Sequence, residues 1–209
     1  YDADYAVIVT AYQQTDQLPY AIDSILKSGY TNFLIYVVAD NCDTSGLAIA
    51  DERVIILKPE HTLASNIKSH FYAIDRFQRD HERLVIIDSD NLVDRHFFSE
   101  LNAYFDAGYE AVQGLRKAKN MNTAFACLDE AGDMYYRYID RKLLFSSGSS
   151  ASLAGSGMAF TTAIYKECLA TIKTGGAGFD KILQYELVKR DLRIAFAENA
   201  GVSDEKTAK

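Results

Sequence analysis

The sequence predicts an α/β protein built on a mostly parallel sheet with helices on both faces. Short apolar runs alternate with segments of helical periodicity through the first half of the chain. Those runs are continuous rather than alternating, the pattern of strands buried on both faces. Three of them end in polar clusters, at 10–14, 40–43 and 88–90. In such sheets, ligands bind beyond the carboxyl ends of the strands.

Taken in order, YAVIVTAY (5–12) is the first strand. DQLPYAIDSILKSG follows as a helix, with Leu18, Ile22, Ile25 and Leu26 on one face and Gly29 as its stop. FLIYVVAD runs as a second strand into Asp40, and RVIIL (53–57) is a third. TLASNIKSHFYAIDRF spaces Leu63, Ile67, Phe71, Ile74 and Phe77 by threes and fours, an amphipathic helix. RLVII is the fourth strand. The helix after it takes Asp94 as N-cap, Phe97, Phe98, Leu101 and Phe105 as inner stripe, and Gly108 as stop. YEAVQG is a fifth strand.

The second half is less regular. A helix over 122–144 carries Tyr135, Tyr136 and Tyr138, which the pattern assigns to the core in preference to a sugar-stacking surface. FSSGSSASLAGSGMAF is too apolar at Leu153, Met158 and Phe160 for a tether and reads as an active-site loop. GGAGFDKILQYELVKRDLRIAFAE then supplies a Gly-rich turn, a helix from 180 and a last strand over 193–196.

Composition narrows the function. The chain has 209 residues, 48% of them hydrophobic, and a net charge of −7. An acidic surface releases no counterions from a nucleic-acid backbone, so nucleic acid is excluded as partner. Cys42, Cys127 and Cys168 are odd in number and form no CxxC, which suits a reducing, cytoplasmic setting. No run reaches the roughly 20 apolar residues of a membrane span. The chain begins at Tyr1 without methionine and stops in SDEKTAK, so we read it as a piece of a longer protein.

The sharpest local signal is IIDSDN. In an extended segment Asp88 and Asp90 project to one side and Ser89 to the other. Two close carboxylates repel unless something neutralises them. A hard divalent cation, Mg²⁺ or Mn²⁺, does so and shares its oxygen ligands with phosphates; a solvated acidic turn is the plainer alternative. His61, His70, His81 and His96 show no metal-ligand spacing, and neither a P-loop nor a dinucleotide fingerprint is present. The serines at 147–152 sit in no nucleophile turn.

Around IIDSDN the sequence resembles the family 2 glycosyltransferases of the GT-A fold, the inverting enzymes that use nucleotide-diphosphate sugars. VIVTAYQQ is similar to that family's first strand and its Pro-Ala-Tyr-Asn-Glu turn, with Thr10 for Pro and Gln13–Gln14 for Asn-Glu. VVADNCD resembles its Asp-Asp-Gly-Ser-x-Asp segment in a variant seen in membrane-associated members. LASNIK matches its Ala-Leu-Asn helix start and IIDSDN its D-x-D. AVQG and LAGSGMAF resemble the stretches leading into the acceptor half, and GFDKILQYELVKRDLRIAFAENAGVSDEK its Glu-Asp helix and closing strand.

The resemblance implies a single GT-A domain over 1–209, with 1–115 the nucleotide-binding half and 116–209 the acceptor half. It implies a nucleotide-diphospho-sugar donor, a UDP-sugar, and a sugar, lipid or polysaccharide acceptor. Tyr12 and Asp40 would hold the base, with Thr10, Ala11 and Gln14 in the same turn. Asp88 and Ser89 would meet the donor, and Asp90 with Asp88 would ligate Mg²⁺ or Mn²⁺. Asp180 would be the general base. Asn66 and Lys68 fit either phosphate contact or helix capping. Gly155 and Gly157 fit either close approach to the donor sugar or plain turn geometry. The family's Glu-Asp pair stands here as Phe179–Asp180; Glu186, the nearest other acid, lies about 240° round the helix. The family variant's Gln-x-x-Arg-Trp motif, like membrane attachment, is expected outside this fragment, at the cytoplasmic face of a membrane. A nucleotidyltransferase of related fold and a non-catalytic nucleotide-sugar binding module are the rival readings.

Overall fold

The computed structural model describes residues 2–47, 49–172 and 178–206. The strands are β1 (Tyr5–Tyr12), β2 (Phe33–Asp40), β3 (Val54–Leu57), β4 (Arg83–Asp88), β5 (Leu92–Val93), β6 (Ala111–Ala118), β7 (Met158–Thr161) and β8 (Ile194–Asp204). The helices are α1 (Leu18–Leu26), α2 (Asn66–Ile74), α3 (Phe97–Asp106), α4 (Ala124–Tyr136), α5 (Leu144–Ser146), α6 (Thr162–Thr171) and α7 (Phe179–Val188). A π-helical stretch, Arg137–Leu143, joins α4 to α5.

All eight strands form one sheet, in the order β3-β2-β1-β4-β7-β6-β8-β5. β1 pairs in parallel with β2 and β4, β2 with β3, and β6 with β8. β7 runs antiparallel between β4 and β6, so one sheet passes through both halves of the chain. Alternate residues of β1 feed opposite cores. Tyr5, Val7 and Val9 pack with Leu18, Ile22 and Ile25 of α1 and Phe98 and Leu101 of α3. Ala6 and Ile8 pack with Ile67 of α2, Tyr165 and Leu169 of α6, and Leu183 of α7. Burying each of these large side chains stabilises the fold by roughly 1.5–3 kcal/mol, which is why both faces need helical cover.

Three sequence expectations are corrected. α3 is capped by His96, not Asp94; the Asp94 carboxylate instead receives the Lys117 ammonium at 2.7 Å. Tyr135, Tyr136 and Tyr138 are exposed, because α4 turns its charged side inward and its aromatic side out. The last strand extends to Asp204 through an irregularity opposite Gly114 and Leu115, which lets a polar stretch remain in the sheet. β5 and α6 were not foreseen. The Gly-rich turn before α7 falls largely on 173–177, outside the described residues; Gly178 ends it at φ +84°.

Candidate active site

The carboxyl ends of β1, β2 and β4 lie side by side, with Tyr12 opposite Asp40 and Thr10 opposite Asp88 in register. Two adjoining cavities open there. The first, about 290 Å³, is lined by Thr10, Ala11, Tyr12, Asp40, Ala64, Ser65, Asn66 and Ser69. The second, about 410 Å³, shares Thr10, Tyr12 and Asn66 and adds Gln14, Asp16, Gln17, Asp88, Ser89, Asp90 and Asp204.

Asp40 ends a strand buried from Ile35 onward and is itself 2% exposed. Its two oxygens accept the main-chain amides of Leu63 and Ala64 at 2.9 and 2.7 Å. The carboxylate thus fixes the loop that walls the first cavity. Ala64 sits at φ +45°, and these two bonds hold that uncommon conformation. Tyr12 stands at the mouth of both cavities, 49% exposed, a flat ring available for stacking. Ser65 caps α2 by accepting from the Lys68 amide at 3.4 Å, so the cap belongs to Ser65. The Lys68 side chain is outside both linings.

The second cavity is acidic. β4 ends at Asp88, and 89–90 form a turn, so strict alternation stops there and Ser89 lines the cavity with both aspartates. The fully buried Asn91 anchors the turn: its side-chain amide donates to Asp90 Oδ1 at 2.8 Å and Asp204 Oδ1 at 3.0 Å. Asp204 also pairs with Arg116. Burial pushes the Asp88 carboxyl up to about 6; Arg116 opposes the rise, and Asp90 and Asp204 add to it. The Asp88 amide is held by Ser156 Oγ at 3.1 Å, which ties the 153–157 loop to the acidic turn.

These acids suit a cation by their chemistry, a set of carboxylate oxygens that Arg116 alone offsets only in part. Among the described residues no group of three or more acids, histidines or cysteines is placed to enclose a metal. Among the described residues no lysine or arginine lines either cavity.

Lys68, Gly155, Gly157 and Asp180 lie outside both linings. Gly157 has φ +69°, and a Cβ there would meet Val202 Cγ2 at 2.9 Å, so packing alone demands glycine. Gly155, at φ +82°, faces open space. Asp180 is half-buried in the first turn of α7. That helix is tied to the 153–157 loop by Lys181 Nζ donating to Leu153 O at 2.8 Å and by the Leu153 amide donating to Gln184 Oε1 at 3.0 Å. Phe179 is buried edge-on against His70, so an acid at 179 would enter the core. Glu186 is engaged by Arg190. Sequence reasoning gave no role to Asp204, Asn91, Ser156, Asp16 or Gln17.

A large mixed sheet with helices on both faces is the architecture of the GT-A fold. The chain belongs to the family described as glycosyltransferase like family 2, whose model matches residues 3–209. Among solved structures it is similar to residues 1–349 of Staphylococcus aureus TarS in complex with UDP-GlcNAc, with TM-score 0.71 and 14% identity. That match covers 99% of this chain and 59% of TarS 1–349. It is also similar to the same TarS fragment with UDP (TM-score 0.67, 14% identity, 97% of this chain and 60% of that one). A further TarS structure gives TM-score 0.68 at 16% identity, over 95% of this chain and 36% of TarS. The chain therefore spans between 36% and 60% of the length of these chains. No curated protein sequence matches it. Among the described residues no helix is long and apolar enough to cross a membrane.

Proposed function

We propose that this chain is the catalytic domain of an inverting glycosyltransferase that moves a sugar from a UDP-sugar to an acceptor hydroxyl with Mg²⁺ or Mn²⁺. The observation that carries the reading is the pair of joined cavities: one walled by Tyr12 and Asp40, the other lined by Asp16, Asp88, Asp90 and Asp204. A nucleoside spans the first and its diphosphate reaches the second. The TarS complexes with UDP and UDP-GlcNAc support the choice of donor.

Tyr12 stacks on the base, and the Asp40-braced loop sets the width of the cleft. Asp90 and Asp88 would hold the cation, with Asn91 fixing Asp90. When bound, the cation supplies charge stabilisation to the departing diphosphate. Asp180, at the start of α7, accepts the proton of the acceptor hydroxyl as its oxygen attacks from the face opposite the leaving group, which inverts the anomeric centre. The acceptor is a hydroxyl of a sugar, lipid or polysaccharide. Three free thiols, one of them exposed, support a cytoplasmic location.

The test is calorimetry with UDP, with and without MnCl₂. We expect binding that requires the metal and is lost in Asp90→Ala. Metal-independent binding that survives Asp90→Ala would refute the proposed role of the acids. Asp180→Asn should retain UDP binding while abolishing transfer; equal turnover would remove Asp180 as the base. The Phe179 departure favours a second reading, a donor-binding module, which predicts UDP binding with no transfer to any acceptor.

A further inference from the structure

A buried polar seam in the second half lies outside the chemistry above. α4 turns Glu130 and Asp133 inward, where Arg137 meets Glu130 at 2.8 Å. Lys206, 2% exposed, pairs with Asp133 and lies 3.6 Å from Glu130. Arg116 pairs with Asp204 and donates to Ala154 O at 2.6 Å. Each of these cations has its carboxylate. Arg141 does not.

Arg141 is 9% exposed, and its guanidinium makes no hydrogen bond or ion pair among the described residues. Its Nε is enclosed with no acceptor. The charged groups around it are Arg116, Asp133, Arg137 and Asp140. Asp133 is already taken by Lys206, and two of the four neighbours are cations. Guanidinium does not shed its proton, so the charge stays, with the Asp133 and Asp140 carboxylates near it but neither bonded to it. The residue lies in the π-helical stretch, a deformation that recurs at functional sites. The neighbouring Asp140 carbonyl accepts the Ser152 amide at 2.9 Å. This sets Arg141 behind the loop whose Ser156 holds Asp88.

We propose that Arg141 receives a phosphate group of a bound ligand, its planar fork matching two phosphate oxygens. The inference rests on the donor-binding reading above. The phosphate belongs either to the donor's diphosphate or to the acceptor, and the test separates the two.

UDP and uridine are titrated with MnCl₂ into wild type, Arg141→Met and Arg141→Lys, and thermal midpoints are read with and without inorganic phosphate. A donor contact predicts at least a tenfold loss of UDP affinity in Arg141→Met and a smaller loss in Arg141→Lys. Uridine affinity stays unchanged, and the Arg141→Met midpoint stays level or rises because a lone buried charge is gone. An acceptor-side contact predicts unchanged UDP affinity, with a phosphate-induced rise in midpoint of the UDP-saturated wild type that Arg141→Met loses. A lowered midpoint with wild-type UDP affinity and phosphate response in both variants overturns the proposal and makes Arg141 structural. If wild type binds no UDP, the donor reading fails instead, and the phosphate response of the ligand-free protein still decides Arg141.

Discussion

Asn91 donates to two acids at once, Asp90 and Asp204, which without it would repel each other. Asn91→Ala leaves both carboxylates without that donor, and we expect a loss of about 1–3 kcal/mol in urea unfolding. The same variant should weaken metal-dependent UDP binding, because Asp90 loses its fixed rotamer; unchanged binding would mean that the rotamer does not matter. Asp40→Asn tests the other cavity. An amide offers one acceptor oxygen where the carboxylate offers two, so one of the Leu63 and Ala64 amides loses its partner. The expected cost is again about 1–3 kcal/mol, with a weaker hold on uridine. Asp40, Asp88 and Asp90 were legible because each sits where an apolar run turns polar. Asp204 was not, since its place beside them depends on long-range pairing of β8 with β6 and β5.

At the level of elements, α4 shows what periodicity leaves open. A helical stripe of tyrosines predicts a face but not its direction. Here Arg116, Lys206 and Arg137 form the inner partner, so Glu130 is buried while Tyr135 is 63% exposed. Tyr135→Ser should shift stability by no more than about 0.5 kcal/mol, as for most surface changes. Glu130→Ala leaves Arg137 with only the Arg116 carbonyl as partner and should cost about 3–5 kcal/mol, the penalty for half of a buried pair. Equal effects in chemical denaturation would show that the seam is solvated. β8 teaches a similar lesson. AENAG looks like loop chemistry, yet the register irregularity at Gly114 and Leu115 keeps Ile194–Asp204 in one strand. The α/β alternation of the first half was legible because each strand there is continuous and apolar; β7 escaped the parallel expectation because its direction is set by a connection, not a composition.

Across the whole molecule, His70 links elements from both halves. It projects from α2, bonds Tyr165 of α6 at 2.6 Å through Nδ1, and meets Phe179 of α7 edge-on. Full burial pushes its pKa down to about 3, from an ordinary value near 6.5. The native state keeps His70 neutral, whereas the unfolded chain takes up a proton below about 6.5. Between those limits the unfolded state binds more protons, so stability falls as pH falls through 6.5 and stops responding to His70 below about 3. The slope from this single group is at most about 1.4 kcal/mol per pH unit. His81 is also shifted downward by burial, with Asp4 opposing, and adds to the same trend. His70→Gln removes the titrating group while keeping a neutral side chain, so its thermal midpoint should decline less steeply between pH 6.5 and 5 than that of wild type. Parallel curves would mean that α2 opens from α6 and α7 before the protein unfolds, letting His70 protonate in a native-like state.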